Sequence, residues 1–231
     1  MEINSESGIR IPHCLDMTTL KIIAAVSMLI DHIGCVLFPR IYWLRGIGRL
    51  AMPIYCFGIS EGLAHTSDRK NYLFRMGLFS LISEVPFDLA FNGGPELYSQ
   101  NVMLTFFCAI AGIMAYEAIR KISPSFIFSL LAVAAAVAFA AAAKYMRTDY
   151  GEFGVILVYV LYFTRRYPVY QLLAGALTVC VCCWMDFEMI CLPAFLLLLF
   201  YNGEKGKDLK YFFYYFYPFH LLVLALIDRL T

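Results

Sequence analysis

Nine apolar runs follow one another between positions 20 and 227, most of them as long as a membrane-spanning helix, and this constrains the fold more than any other feature. A helix needs about 20 apolar residues to cross a bilayer. Within lipid it is also the element that satisfies all its own backbone hydrogen bonds. The runs cover residues 20–38, 44–64, 72–91, 101–119, 126–143, 150–163, 169–185, 187–201 and 212–227. The sixth and eighth are short for a full crossing, so the pattern fits about nine transmembrane helices, with eight to ten allowed. The expected fold is therefore all-α, a polytopic integral membrane helical bundle. Composition agrees: 61% of residues are apolar and 15% charged, against about 45–50% and 25% in a soluble domain. The net charge of +1 carries no basic excess of the kind nucleic-acid binding requires, so the expected partners are the lipid bilayer and no nucleic acid.

The polar stretch 1–19 lacks the basic head and cleavage site of a secretory signal, so it is expected as a cytoplasmic segment ahead of one transmembrane domain, residues 20–231. Arg69, Lys70, Arg120, Lys121, Arg165, Arg166, Lys205, Lys207 and Lys210 fall in the loops after the even-numbered runs. By the positive-inside rule those loops and the N-terminus are cytoplasmic. The eight cysteines lie mostly in apolar runs and lack metal-ligand spacing, so neither a disulfide framework nor a metal site is expected. The alanine-rich stretch 132–143 reads as packing surface, where small residues let helices approach closely.

The informative residues are the ionisable ones inside the apolar runs. Each costs about 2.5–3.5 kcal/mol at a helix centre on insertion scales, so such residues usually face the bundle interior. The first run carries Lys21, Asp31 and His32. Eleven positions separate Lys21 from His32, nearly three whole turns, so the two share one helix face roughly 16 Å apart along the axis. That geometry suits a ligand entering from the cytoplasm with its anionic part at Lys21 and its reactive end at His32. Lys21 could instead snorkel to the headgroups, and His32 could be a bonded structural histidine. Arg45 and Arg49, one turn apart, suit a phosphate or carboxylate, and equally a pairing with Glu84 and Asp88 beside Pro86. His65 reads as interfacial. Asn101, Asp149, Tyr217 and His220 are further candidates for the same cavity. No Gly-rich phosphate loop in strand–helix context, G-x-S-x-G elbow or His-Glu-x-x-His is present.

Several segments resemble the TraX family in sequence and in order. These are Leu20-Lys21-Ile22-Ile23-Ala24 through Ile30-Asp31-His32-Ile33-Gly34, Gly48-Arg49-Leu50-Ala51-Met52-Pro53, and Ser83-Glu84-Val85-Pro86-Phe87-Asp88. Asn101-Val102, Asp149-Tyr150-Gly151, Tyr201-Asn202-Gly203 and Phe216-Tyr217-Pro218-Phe219-His220 complete the set. The family's named member is an inner-membrane protein of conjugative plasmids associated with acetylation of the pilin N-terminus. The resemblance implies a bacterial-type cytoplasmic membrane location and an acetyltransferase using acetyl-CoA, acting on a peptide or glycan acceptor. A basic residue, ten residues and a histidine, here Lys21 and His32, are also similar to membrane O-acetyltransferases of the acyltransferase-three type. There an R-x-x-R pair is implicated; Arg45 and Arg49 stand one position wider. On this reading His32 is the catalytic base with Asp31 beside it, and Lys21, Arg45 and Arg49 bind the donor. Glu84, Asp88, Asn101, Asp149, Tyr217 and His220 then support the substrate. The competing classes are a transporter or channel using the same charges as an ion path, and a non-enzymatic assembly protein. Acceptor identity stays open, and a homo-oligomer is compatible with the sequence.

Overall fold

The structure is a computed structural model describing residues 13–184 and 186–230. Most of the expected N-terminal segment, residues 1–12, and the end of the seventh run at Met185 lie outside the described residues. Among the described residues there are ten α-helices and no strand. They are α1 Met17–Val36, α2 Tyr42–Gly48, α3 Ala51–His65, α4 Arg69–Phe91, α5 Val102–Ile122, α6 Phe126–Tyr145, α7 Gly151–Thr164, α8 Pro168–Cys182, α9 Pro193–Leu198 and α10 Lys210–Asp228. A 3-10 turn, Phe187–Cys191, leads into α9.

The helical class is as expected, and the expected spans, of which the sixth and eighth runs are short, differ in length and continuity. Four helices, α1, α5, α6 and α10, are long and apolar enough to cross a membrane. The run 44–64 is divided into α2 and α3 at Arg49-Leu50, and the run 187–201 is a 3-10 turn plus a six-residue helix. The physical reason lies in close approach. At Gly48 a Cβ would sit 2.0 Å from the Cβ of Asp31, so α2 crosses α1 backbone to backbone. Ser27 Oγ donates to the carbonyl of Ile47 at 2.6 Å, satisfying an acceptor that the helix leaves open there.

Local signals fix the other ends. Asp16 caps α1 by accepting from the Thr19 N–H at 2.7 Å, and this bond holds its carboxyl below the usual range. Asp68 caps α4 through Asn71 N–H at 2.9 Å, and Asn101 caps α5 through Met103 N–H at 3.0 Å. Ala132, Ala136, Ala140 and Ala143 form one buried stripe of α6, which packs on α5. Outward, Leu81, Phe126, Ile127, Val181 and Phe219 expose their apolar side chains, as a belt solvated by lipid does. Arg69, Arg120 and Lys121 line one hollow, and Arg165 faces Glu61 near the lysines of residues 205–210, so the basic loops share one end of the bundle, called the basic end below. A segment of residues 201–209 crosses that end as a strap. It is fastened to the start of α1 by the Leu15–Tyr201 bridge, by Met17 N–H to Glu204 O at 2.9 Å, and by the Thr18 hydroxyl on the carbonyls of Lys205 and Lys207.

Candidate functional site

A cavity and a histidine pair lie next to one another, and Tyr217 of α10 touches both.

The first is a cavity of about 460 Å³ that opens at the basic end. Its mouth carries His65, Lys205, Lys207 and Lys210; its wall carries Lys21, Glu61 and Arg75; its inner end is Met28, Tyr55, Met103 and Tyr217. Lys21 has room because Gly58 of α3 faces it, with the lysine Cε 3.1 Å from where a Cβ would stand. His65, read from sequence as interfacial, pairs with Glu61 at 3.7 Å on this mouth. Asp208 hydrogen-bonds Lys205 at 2.8 Å, and that cation draws its carboxyl below the ordinary range.

The second is the histidine pair. His32 Nδ1 lies 2.7 Å from His220 Nε2, with the rings stacked at 5.0 Å. His220 Nδ1 lies 2.7 Å from the carbonyl oxygen of Phe216, one turn back on α10. A carbonyl only accepts, so His220 carries its proton on Nδ1 and in the neutral state presents Nε2 as an acceptor. His32 must then donate from Nδ1, which leaves the lone pair of His32 Nε2 as the free base. Phe91 packs edge-on to His32 at 5.2 Å. Tyr217 contacts both histidines, at 6.4 and 5.7 Å between ring centroids, and also lines the inner end of the cavity. One ring therefore joins the cavity to the pair.

Asp31, next to His32 in sequence, turns the other way. Arg49 bonds Asp31 Oδ2 at 2.6 Å, Glu188 Oε1 at 2.7 Å and the Tyr150 hydroxyl at 3.0 Å, while Arg45 Nε stands 3.6 Å from Asp31. Arg49 and Asp31 are both below 10% exposed, so neither can lose the other cheaply. The pairing of these arginines with Glu84 and Asp88, one of the two expected uses, does not occur; Asp31 and Glu188 take that place. Tyr150 reaches Arg49 because the Asp149-Tyr150-Gly151 turn holds Tyr150 in the left-handed region, at φ 63°, a conformation an L residue adopts only where its surroundings enforce it. Burial pushes the Asp149 carboxyl up to about 6 despite the nearby Arg49.

Glu84, Asp88 and Asn101 form a separate group. The Asn101 amide binds Glu84 and the Ser80 carbonyl, while Asp88 accepts from the Glu96 N–H at 3.0 Å and from Asn92 at 3.3 Å. They tie α4 to the start of α5 and to the loop before it. Sequence reasoning missed Glu188, Tyr55 and Arg75. Glu188 reaches Arg49 across 139 positions through an irregular turn, for which no local pattern exists. Arg75 stands three residues inside the apolar run 72–91, where a cation can equally well snorkel to water. No group of three or more metal-ligating residues occurs among the described residues.

The chain is 29% identical over 235 residues to a probable fimbrial assembly protein, FimC of serogroup H1, from Dichelobacter nodosus, covering 89% of this chain and 93% of that one. A shorter stretch of 38 residues, 16% of this chain and 15% of the other, is 53% identical to the uncharacterized protein RP591 of Rickettsia prowazekii (strain Madrid E). No solved structure matches. The model of the TraX protein family matches residues 16–228, from the cap of α1 to the end of α10, and the chain belongs to that family.

Proposed function

We propose that this protein is an integral membrane acetyltransferase of the cytoplasmic membrane, N-terminus inside. It takes acetyl from acetyl-CoA and passes it to an amino or hydroxyl acceptor. The observation that carries the reading is a cation-lined cavity whose inner end, Tyr217, also packs against a histidine with a free Nε2 lone pair. Lys21, Arg75 and the strap lysines suit the phosphates of the donor, and the apolar lining, with Met28 and Met103, suits its uncharged arm. The donor supplies an activated thioester; the rest falls to this chain. His32 Nε2 accepts the proton of the attacking N–H or O–H as the new acyl bond forms. The C–S bond then breaks, and the thiolate recovers that proton from His32. His220 holds His32 in the right tautomer and shares the charge of the imidazolium through the Nδ1–H bond. Tyr217 stands where it can donate to the developing oxyanion, and Asp31, clamped by Arg49, fixes the end of α1 that carries His32.

The acceptor is a peptide N-terminus or an extracytoplasmic glycan, and the printed name of the Dichelobacter relative favours a fimbrial subunit. That same name supports the second reading, an assembly role without catalysis. Purified protein in nanodiscs, given labelled acetyl-CoA and a pilin-type peptide, separates the two. We expect donor binding and labelled acceptor, and loss of transfer in a folded His32→Ala variant. Retained transfer in that variant removes His32 from the mechanism, and absence of donor binding in the wild type favours the assembly role.

A further inference from the structure

The cavity holds more cations than its internal pairing uses. Arg75 lies six residues into α4, roughly 9 Å along the axis from its start. Its Nε is buried without a hydrogen-bond partner, and no carboxylate lies within ion-pair distance of it among the described residues. Tyr214 is its neighbour. A cation held at this depth without a counter-charge marks a place where an anion is brought in. Lys21, on α1, lines the same wall and also has no ion-pair partner among the described residues. The carboxylates facing this cavity are Glu61, beside His65, and Asp208, beside Lys205. At the mouth a second group of cations sits on the strap. Gly203 and Gly206, at φ 82° and 70°, let the strap turn back on itself, and the Thr18 hydroxyl fixes the carbonyls of Lys205 and Lys207 at 2.9 and 2.6 Å. Thr18 opens the helix that carries Lys21, so the strap lysines and Lys21 are positioned from one rigid element.

We propose that the cavity reads its ligand in two tiers: Lys21 and Arg75 grip a diphosphate, and Lys205 and Lys207 grip a separate phosphate monoester at the mouth. The ligand class is a nucleotide carrier with a diphosphate and an additional ribose phosphate, in preference to the same carrier without that phosphate. This rests on the acetyl-CoA reading and refines it, because the strap tier makes the ribose phosphate a determinant of selectivity. The Lys205 side chain is 72% exposed at the mouth, so a soluble nucleotide can reach the strap.

Binding of CoA and of dephospho-CoA, measured by calorimetry on the full-length protein in phosphatidylcholine nanodiscs, tests this. The zwitterionic lipid leaves no anionic headgroup to compete. Wild type is expected to prefer CoA by about tenfold, and a Lys205→Ala/Lys207→Ala variant to lose that preference while binding dephospho-CoA as before. Arg75→Gln is expected to weaken both nucleotides equally, by about 30-fold, with Arg75→Lys restoring part of it. Should Arg75→Gln not fold, the Arg75→Lys comparison and the strap variant carry the test. Equal binding of the two nucleotides by wild type, or equal losses in the strap variant, overturns the two tiers and leaves the donor reading standing. If wild type binds neither nucleotide, the donor reading falls and the tiers with it.

Discussion

Gly48→Ala separates a geometric claim from a compositional one. A methyl group there would lie 2.0 Å from the Cβ, 2.5 Å from the Cγ and 2.8 Å from the Cα of Asp31. Carbon atoms rest about 3.5–4.0 Å apart, so α1 and α2 must separate by roughly 1.5 Å. Overpacking of this kind costs about 1–3 kcal/mol. The separation also pulls Asp31 from Arg49, whose 2.6 Å contact has no slack, and a charge-assisted bond adds about 1.5–3 kcal/mol. The expected total is about 2.5–6 kcal/mol, a fall in melting temperature of at least about 5 °C for a chain of this size. Gly46→Ala is the internal control. Its Cβ would meet only Ile190 Cγ2 at 3.7 Å, an ordinary contact, so it is expected to be neutral or to stabilise by about 0.5–1 kcal/mol through helix propensity. Thermal unfolding of both variants in one detergent gives the answer. Equal melting temperatures for the two would refute the claim that α1 and α2 meet backbone to backbone at Asp31.

Two further outcomes follow from the site. His220→Phe leaves the Nδ1–H of His32 without an acceptor; transfer is expected to slow by about 10²-fold with the KM for donor unchanged, and His220→Gln, which can accept, to recover part of it. A parallel rise in KM would instead indicate a collapsed cavity. Asp149 titrates in the folded protein at about 6, against 3.8 when free. Its protonated form therefore contributes stability that is complete below pH ~3.8 and lost as pH rises through about 6, up to roughly 3 kcal/mol. Asp149→Asn is expected to flatten that part of the stability–pH curve, and an unchanged curve would show that Asp149 is solvated.

The sequence made the helical class legible because lipid demands long apolar runs, and helical spacing put Lys21 and His32 on one face. The structure adds that the first lines the cavity and the second touches Tyr217 at its end. What could not be read was pairing across the chain. Nothing local distinguishes Glu84 from Glu188 as a partner for Arg49, since both are carboxylates near an apolar run and the choice is made by how helices stack. The break between α2 and α3 was marked by Gly46 and Gly48, but a glycine signals only room, not which neighbour fills it. Arg75 went unnoticed because a single cation near the start of a span looks the same whether it snorkels to water or faces a ligand.

His32 and His220 stand 188 positions apart, and the strap at the mouth arrives just ahead of the helix bearing His220. During synthesis the first helix enters the bilayer with a lone imidazole and an unroofed vestibule, and it stays so until nearly all the remaining helices have followed. The proposed chemistry therefore waits for α10, which supplies both His220 and Tyr217. A chain interrupted before α10 would carry most of the described helices and lack the histidine pair on which the proposed chemistry depends.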